Sequence, residues 1–351
     1  MTIETKLAEI IASATSAQTQ TTTLRASLVT LQSEYDAYVL ANPVVPVVPA
    51  ATPVNNYADW YWQANPGADP RTKTLTNYVV TSGANSGAGT WRDAVSQSNR
   101  RITFTPGLVV ILTAPIVTRS NYLIVDGNWN VLVTRFATKF EGTGVILNGM
   151  RFADALGSAE EDCLTFRGWS GGPVQAFKIM NCSFDRANDG CIDIIYSYGR
   201  QVYGNVEGCT VSRVNKACLV DSGDIAQEGG TYNITFRNNR WYDVHQRLPM
   251  ARNANIHIVG DEYSRYGDAI GAGGGAKAAD GCKMLVENVR ITRRISGEKT
   301  FEGVTVTSPR LEAVGPHMGS ITGYVRAIGT YVAGTVVQKS ANLVPNPPYV
   351  L

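Results

Sequence analysis

Residues 3–38 place apolar and small side chains alternately three and four positions apart. These positions are Ile3, Leu7, Ile10, Ala14, Ala17, Thr21, Leu24, Leu28, Leu31, Tyr35 and Tyr38. This spacing puts one seam along one side of a helix and is typical of a left-handed coiled coil. We therefore predict a coiled-coil oligomerisation and attachment helix over residues 1–41. A surface helix packed on the body is the alternative interpretation.

A proline-rich segment follows at residues 42–56. Four prolines in NPVVPVVPAATPVNN disfavour a helix or a central strand and favour extended polyproline. We predict a linker here, which either holds the body away from its anchor or lies on a partner protein.

From residue 57 onward the pattern changes to short β runs separated by Gly, Asn and Asp. Cys163, Cys191 and Cys218 each precede a Leu or Ile at almost equal intervals, and Cys182 and Cys209 repeat that interval. One coil of a β-solenoid needs a stretch of about this length, so equivalent positions would stack in ladders about 4.8 Å per step. We expect these thiols to be packing residues, because zinc-type Cys and His spacing is absent from the sequence.

Composition narrows the class of partner. The chain has 351 residues, a net charge of +2, 34 glycines and only 17% charged residues. The absence of a Lys/Arg block argues against nucleic acid. No window of the sequence approaches the length of apolar run that a membrane span needs, so no membrane-spanning segment is expected.

Several motifs in the body occur in a family-like order: FKIMNCSF (177–184), DGCIDI (189–194), NKACLV (215–220) and HQRLPMAR (245–252). Together they resemble the core of the pectate lyases of polysaccharide lyase family 1, over roughly residues 75–351. The resemblance implies an all-β fold, a right-handed parallel β-helix over residues 57–351, behind the N-terminal α-helical coiled coil. A β-helix of another class is the main competing interpretation.

The reaction implied by the resemblance is β-elimination on an acidic polysaccharide. A base removes the C5 proton of a uronate, and cations stabilise the charge that builds on its carboxylate. Asp189 and Asp193 match calcium-ligand carboxylates of the family, so Ca²⁺ is the implied cofactor. Taken without the resemblance, Asp189 is a turn residue and Asp193 a solvated surface group. A carboxylate pair for glycoside hydrolysis, drawn from Asp162, Asp189 and Asp193 on a shared face, is a further alternative.

The cationic residues match the family as well. Arg247 matches its catalytic arginine, while Lys216 and Arg252 match residues that bind the substrate carboxylate. His245, next to Arg247, is predicted to bind substrate or to serve as an alternative base. Because Asp193, Lys216 and Arg247 follow one another at intervals of about one coil, they should lie on neighbouring coils.

One position departs from the family pattern. Met180 occupies the place of an aspartate that is a principal calcium ligand, and Asn181 that of a histidine. A thioether is a poor ligand for a hard cation, so calcium binding should be weakened. Asp185 and Glu207 are the nearest carboxylates in sequence that could substitute. Whether the chain is an active lyase therefore stays open at this point.

The N-terminal segment MTIETKLAEIIASATSAQTQ lacks the pattern of a secretory signal. With the predicted coiled coil, this favours a bacteriophage spike, fibre or decoration protein, assembled in the host cytoplasm, released by lysis and located in the virion. By analogy with phage spikes and fibres we expect a homotrimer that contacts other virion proteins through residues 1–56. Its function would be to bind an acidic host-surface polysaccharide, and whether it also cleaves that polysaccharide by β-elimination stays open. The alternative is a non-catalytic structural or adhesion protein of the virion that uses a degenerate lyase scaffold.

Overall fold

The computed structural model describes residues 55–158, 161–223, 226–266 and 282–294, together with strand segments at 271–272, 299–301, 304–306, 317–318, 324–332 and 335–339. Its strands are nearly all parallel and coil into one continuous curled sheet. Most turns of the coil contribute one strand to each of three faces, which we call sheets A, B and C. The predicted all-β parallel β-helix is confirmed; the coiled coil of residues 1–41 lies outside the described residues, as does nearly all of the linker.

The three sheets are traversed in the order A, B, C in most coils. Sheet A contains β1 (Thr76–Val80), β2 (Arg100–Phe104), β5 (Leu123–Asp126), β8 (Val145–Asn148), β11 (Gln175–Met180), β14 (Val202–Glu207), β16 (Tyr232–Arg237), β19 (Ala254–Val259), β22 (Lys283–Glu287) and β27 (Tyr324–Val332). Sheet B contains β3 (Val109–Ile111), β6 (Leu132–Thr134), β9 (Arg151–Ala155), β12 (Ser183–Ala187), the first half of β15 (Thr210–Val220), β17 (Arg240–Gln246), β20 (Glu262–Tyr266) and β23 (Arg290–Arg294). Sheet C contains β4 (Ile116–Thr118), β7 (Thr138–Phe140), β10 (Leu164–Arg167), β13 (Gly190–Ile195), the second half of β15, β18 (Met250–Ala251), β21 (Gly271–Ala272) and β26 (His317–Met318).

Antiparallel pairs and short helices complete the described elements. The antiparallel pairs are β24 (Lys299–Phe301) with β25 (Val304–Val306), and β27 with β28 (Thr335–Lys339). The helices are α1 (Tyr57–Ala64) and α2 (Trp91–Ala94), with 3₁₀ turns at Pro66–Ala68 and Pro70–Thr72. No described helix has both the length and the apolar character that crossing a lipid bilayer would need.

Helix α1 packs on the outer face of sheet A. Asn56 caps its N-terminus by accepting a hydrogen bond from the Asp59 N–H at 2.8 Å. The ring of Tyr61 stacks on Tyr203 of β14 with centroids 4.4 Å apart, and Lys178 of β11 pairs with Asp59 at 2.8 Å. These contacts remove the face of sheet A under α1 from solvent.

The corner between sheets A and B repeats a left-handed backbone conformation in successive coils. Gly149, Asn181, Gly208, Asn238 and Gly260 all have φ between 51° and 69°. Their N–H groups donate to carbonyl oxygens on the next coil at 2.9–3.0 Å. Glycine and asparagine tolerate this conformation best, so the sequence fits the corner coil by coil. Asn181 is therefore a corner residue in this structure.

The cysteine ladders are only partly as predicted. Cys182 and Cys209 lie in line, since their successors Ser183 and Thr210 are paired. Cys163 and Cys191 are in line for the same reason, but Cys218 pairs with Ile192, one position further along. The prediction for Cys218 was wrong because β15 runs through the B–C corner without a break, which makes that coil shorter than the one before it. All six cysteines are free and buried, as expected of packing residues.

Candidate functional site

The outer face of sheet C carries two buried carboxylates in close proximity. Asp162 immediately precedes β10, and Asp193 lies in β13 on the next coil, in register with Thr165. A Cβ atom built on Gly190 would lie 2.9 Å from Asp162 Oδ1 and 3.1 Å from Asp193 Oδ1. Both oxygens approach the same point, so their separation cannot exceed the sum of those two distances. Glycine at position 190 is what leaves room for them.

The surroundings of these two carboxyl groups disfavour their ionised forms. Burial raises the pKa of Asp193 to about 6, and the negative charge of Asp189 adds to the shift. Burial, followed by the charges of Asp193 and Asp189, raises the pKa of Asp162 well above its ordinary value. Asp162 accepts a hydrogen bond from the Gly190 N–H at 2.9 Å. Asp193 Oδ1, by contrast, is buried with no hydrogen-bond partner among the described residues, so the pair has unmet demand for positive charge.

Lys216 and Asp189 form an ion pair beside this carboxylate pair. Lys216 lies in β15, in register with Gly190 on the preceding coil. Its side chain is 28% exposed, and that of Asp189 is 23% exposed. The structure thus brings both predicted site residues to the same place, with the charge of Asp189 already balanced by Lys216.

Arg247 approaches from the following coil. It has φ 62° between β17 and β18, and its carbonyl oxygen accepts the Cys218 N–H at 2.9 Å. That bond fixes the backbone of Arg247 against β15. Its positive charge is the largest influence opposing the rise in the pKa of Asp193. Arg247 therefore lies near enough to Asp193 to influence its carboxyl group, while its predicted catalytic role stays a prediction.

No described contact joins Arg252 or His245 to the Asp193 site. The Arg252 Nη1 atom donates to the carbonyl oxygen of Asp221 at 3.0 Å, beside Gly223. His245 lies in β17, and its side chain is outside the described part of the molecule. The roles predicted for both residues stay predictions.

Met180 and its proposed substitutes do not join the carboxylates in any described contact. Met180 packs against the apolar cluster under α1 on sheet A. Asp185 pairs with Arg213, and Glu207 accepts a hydrogen bond from Asn205 Nδ2 at 3.0 Å. Asp162 lies at this site although the sequence motifs assign it no calcium role and offer it only as one of the carboxylates for glycoside hydrolysis. Its signal was present, because Asp162 precedes Cys163 as Gly190 precedes Cys191 one coil later.

The donor set suits a hard cation only in part. Within the described ranges, no group of three or more His, Cys, Asp or Glu side chains is arranged to hold a metal ion. Asp162 and Asp193 nevertheless supply carboxylate oxygens, the type of ligand that Ca²⁺ prefers. Their negative charges repel one another, and Asp193 Oδ1 has no hydrogen-bond partner among the described residues, so a cation would stabilise the pair. Ligand oxygens from a bound acidic sugar would have to complete such a site.

Comparison with known proteins supports the fold and part of the sequence resemblance. Residues 176–285 match the pectate lyase family model. Pectate lyase Bsp165PelA from Bacillus sp. N165, solved in complex with trigalacturonate, matches with a TM-score of 0.50 at 14% identity over 85% of this chain and 93% of its own. No curated protein sequence matches the chain.

Two further solved structures are similar to the chain. Jun a 1, the major allergen from cedar pollen, matches with a TM-score of 0.48 at 18% identity, over 82% of this chain and 92% of that one. A polygalacturonate lyase fused with a self-assembling amphipathic peptide matches with a TM-score of 0.48 at 18% identity, over 72% of this chain and 62% of that one. Residues 176–285 thus match the pectate lyase family model, and the chain folds as a parallel β-helix like that of the Bacillus pectate lyase.

Proposed function

We propose that this protein binds an acidic polysaccharide on the outer face of sheet C and cleaves it by β-elimination. The observation that carries the proposal is the convergence of Asp162, Asp193, Lys216 and Arg247 from successive coils onto one face. The site suits an acidic ligand that carries cations. The paired carboxylates, one with an unpartnered oxygen, would meet the cations, and the arginine and lysine beside them would meet the carboxylates of the ligand. A pectate lyase of the same fold has been solved with trigalacturonate, which supports this class of ligand.

Arg247 and Lys216 have different roles in such a reaction. Arg247, in its neutral form, takes the C5 proton of the uronate, the C4=C5 double bond forms, and the C4–O glycosidic bond breaks, its oxygen taking a proton from solvent. The hydrogen bond from the Cys218 N–H to the Arg247 carbonyl oxygen keeps the backbone of Arg247 in position. Lys216 binds the sugar carboxylate once that carboxylate competes with Asp189 for it. Because arginine gives up its proton only under alkaline conditions, activity should rise toward high pH.

Pectate lyases generally use calcium, and we propose that Asp162 and Asp193 would hold it here together with the substrate. When bound, a calcium ion supplies electrostatic stabilisation of the charge that develops on the substrate carboxylate. With Met180 in place of a third carboxylate, binding of the ion should depend on the polysaccharide.

Absorbance of the unsaturated product tests the proposal directly. Polygalacturonate and other acidic polysaccharides are incubated with the protein at alkaline pH, with calcium or with a chelator. We expect product with calcium and none from Arg247→Ala. Arg151→Ala serves as the matched control, because Arg151 is exposed on sheet B. Absence of product on every acidic polysaccharide would refute cleavage, and binding measured by affinity electrophoresis would then decide whether the protein is an adhesion module.

A second candidate reaction is glycoside hydrolysis. The closeness of Asp162 and Asp193, whose oxygens both lie beside Gly190, favours this reaction. The two carboxyl groups of retaining glycosidases lie roughly 5–5.5 Å apart. Both residues are buried, with 7% and 6% of their surface exposed, which leaves little access to a glycosidic bond. Saturated product ends without ultraviolet absorbance would select this reaction over elimination.

For residues 1–56 we propose attachment of a trimeric virion spike, fibre or decoration protein. The support is the seam spacing at residues 3–38 and the proline segment that follows. Light scattering of the full chain tests this proposal: a trimer is expected, and Leu28→Lys should dissociate it. A monomeric wild-type protein would refute the oligomerisation role.

A further inference from the structure

A second concave site lies where the strands of sheet C end and the chain turns toward sheet A. The cavity has a volume of about 390 Å³ and is lined mainly by Arg119, Arg167, Trp169, Tyr196, Tyr198 and Gln227. This size falls in the range of small-molecule sites, roughly 300–1,000 Å³. None of these residues belongs to the Asp193 site, so the cavity is a separate candidate binding site.

Two arginines enter the cavity from a shared anchor. Glu141, whose side chain is only 6% exposed, accepts hydrogen bonds from Arg119 Nε at 2.8 Å and Arg167 Nε at 3.0 Å. The guanidinium of Arg119 lies over the Trp169 ring, 4.2 Å from its centroid. Arg119 is 62% exposed, and its two Nη atoms have no bonding partner among the described residues. One carboxylate therefore holds two arginines, which leaves the cavity with net positive charge.

Two tyrosines enter the same cavity from a strained turn. Tyr196 and Tyr198 have φ of 60° and 48°, a conformation that is uncommon for bulky residues. Buried Glu228 stabilises this turn by accepting the N–H groups of Tyr196 at 2.8 Å and Ser197 at 3.1 Å. Backbone strain of this kind persists where the surroundings over-determine it, and it is concentrated at ligand-binding sites.

The cavity and the Asp193 site lie on the same outer face of sheet C. Asp193 and Thr165 are paired, and two residues further along the same strands Ile195 and Arg167 are paired. Side chains alternate along a strand, so Arg167 lies on the same outer face as Asp193. One coil and two residues separate them, a distance of about 8 Å. This spacing places the cavity about one or two sugar units from Asp193.

We propose that this cavity binds one acidic sugar unit of the polysaccharide that the Asp193 site acts on. The C–H face of the pyranose packs on the aromatic surface of Trp169 and the tyrosines, while its carboxylate accepts hydrogen bonds from the Arg119 Nη atoms. The net positive charge selects a uronate over a neutral sugar. The identity of the polymer rests on the proposed function, but binding in the cavity requires no turnover.

Calorimetric titration with trigalacturonate tests this site. We expect Trp169→Ala and Arg119→Ala each to weaken binding about 10-fold or more, in line with the loss of a cation–π contact or a charge-assisted hydrogen bond of about 1.4 kcal/mol or more. Arg119→Lys, which keeps the charge but not the planar fork, should recover only part of the affinity. Trp129→Ala is the matched control, because Trp129 is 48% exposed in a turn between sheets A and B and should leave binding unchanged.

The outcomes separate this proposal from the proposed function. Retained trigalacturonate binding in Arg247→Ala, with no turnover by the wild type, would leave the cavity proposal standing while cleavage fails. Unchanged affinity in both Arg119→Ala and Trp169→Ala, with unfolding temperatures like the wild type, would overturn the cavity proposal even if cleavage is observed. Equal binding of trigalacturonate and neutral xylotriose by the wild type would overturn the acidic specificity.

Discussion

Replacing Asp193 with asparagine should make the protein more stable at neutral pH, because the burial of this carboxyl group outweighs the attraction of Arg247 and Lys216. Burial raises its pKa from 3.8 to about 6. The native state therefore binds more protons than the unfolded state between those values, and stability falls as pH rises through this window. A shift of about two pH units corresponds to about 3 kcal/mol. Asp193→Asn should remove this penalty, so its advantage over the wild type should grow by about 3 kcal/mol between about pH 4 and pH 8.

Urea unfolding at stepped pH values, in the presence of a chelator, measures this difference. Other titrating groups such as Asp261 remain in both proteins, so their contributions cancel in the comparison. Removing Asp193 also relieves its repulsion of Asp162, which acts in the same direction. Calcium should raise the stability of the wild type at alkaline pH more than that of the variant. An advantage of Asp193→Asn that stays constant across the whole pH series would refute the claim that this carboxyl is strained by its surroundings.

Three further predictions concern other features of the described structure. Gly190→Ala should push the oxygens of Asp162 and Asp193 apart, because the added Cβ atom would contact both of them. Both contacts are with ends of side chains, so the unfolding temperature should change little while product formation falls about 10-fold or more. Asp261→Ala should cost about 2 kcal/mol or more in urea unfolding, because the Trp241 Nε1–H and the Asn239 N–H, each 2.8 Å from Asp261 inside the core, would lose their acceptor. A cost below about 1 kcal/mol would contradict this. Since all six cysteines are buried, a thiol reagent should label none in the native protein and six after unfolding, and rapid native labelling would show that the coils open.

The fold was predictable because the coil repeats both apolar runs and corner residues. Asparagine and glycine at the A–B corner, such as Asn181 and Gly208, mark the turns where a left-handed backbone is needed. Exact register was less predictable. Equal cysteine spacing does not mean equal coil length, and the uninterrupted strand around Cys218 shifted that residue by one position. Sequence spacing reports the sum of strand and corner lengths, whereas register depends on each one separately.

The candidate site was only partly predictable for a related reason. Asp189, Asp193, Lys216 and Arg247 are recognisable in short motifs, and all lie within the segment that matches the family. The cavity at Arg119 and its aromatic partners has no motif, because its residues come from several coils and meet only when the strands stack. Aromatic and arginine positions at strand ends are common in any sequence, so only the folded chain shows that these converge.

Asp162 connects the departure at Met180 with the chemistry of the site. The family pattern supplies a carboxylate at the position of Met180, and in this chain that residue packs under α1 instead. Asp162 lies outside the segment that matches the family, yet its oxygen converges with that of Asp193 around Gly190. A carboxylate from the preceding coil thus restores negative charge at Asp193 from a different direction. The loss of the motif carboxylate at Met180 is therefore by itself weak grounds for assigning an inactive scaffold, because Asp162 and Asp193 still form an acidic pair around Gly190.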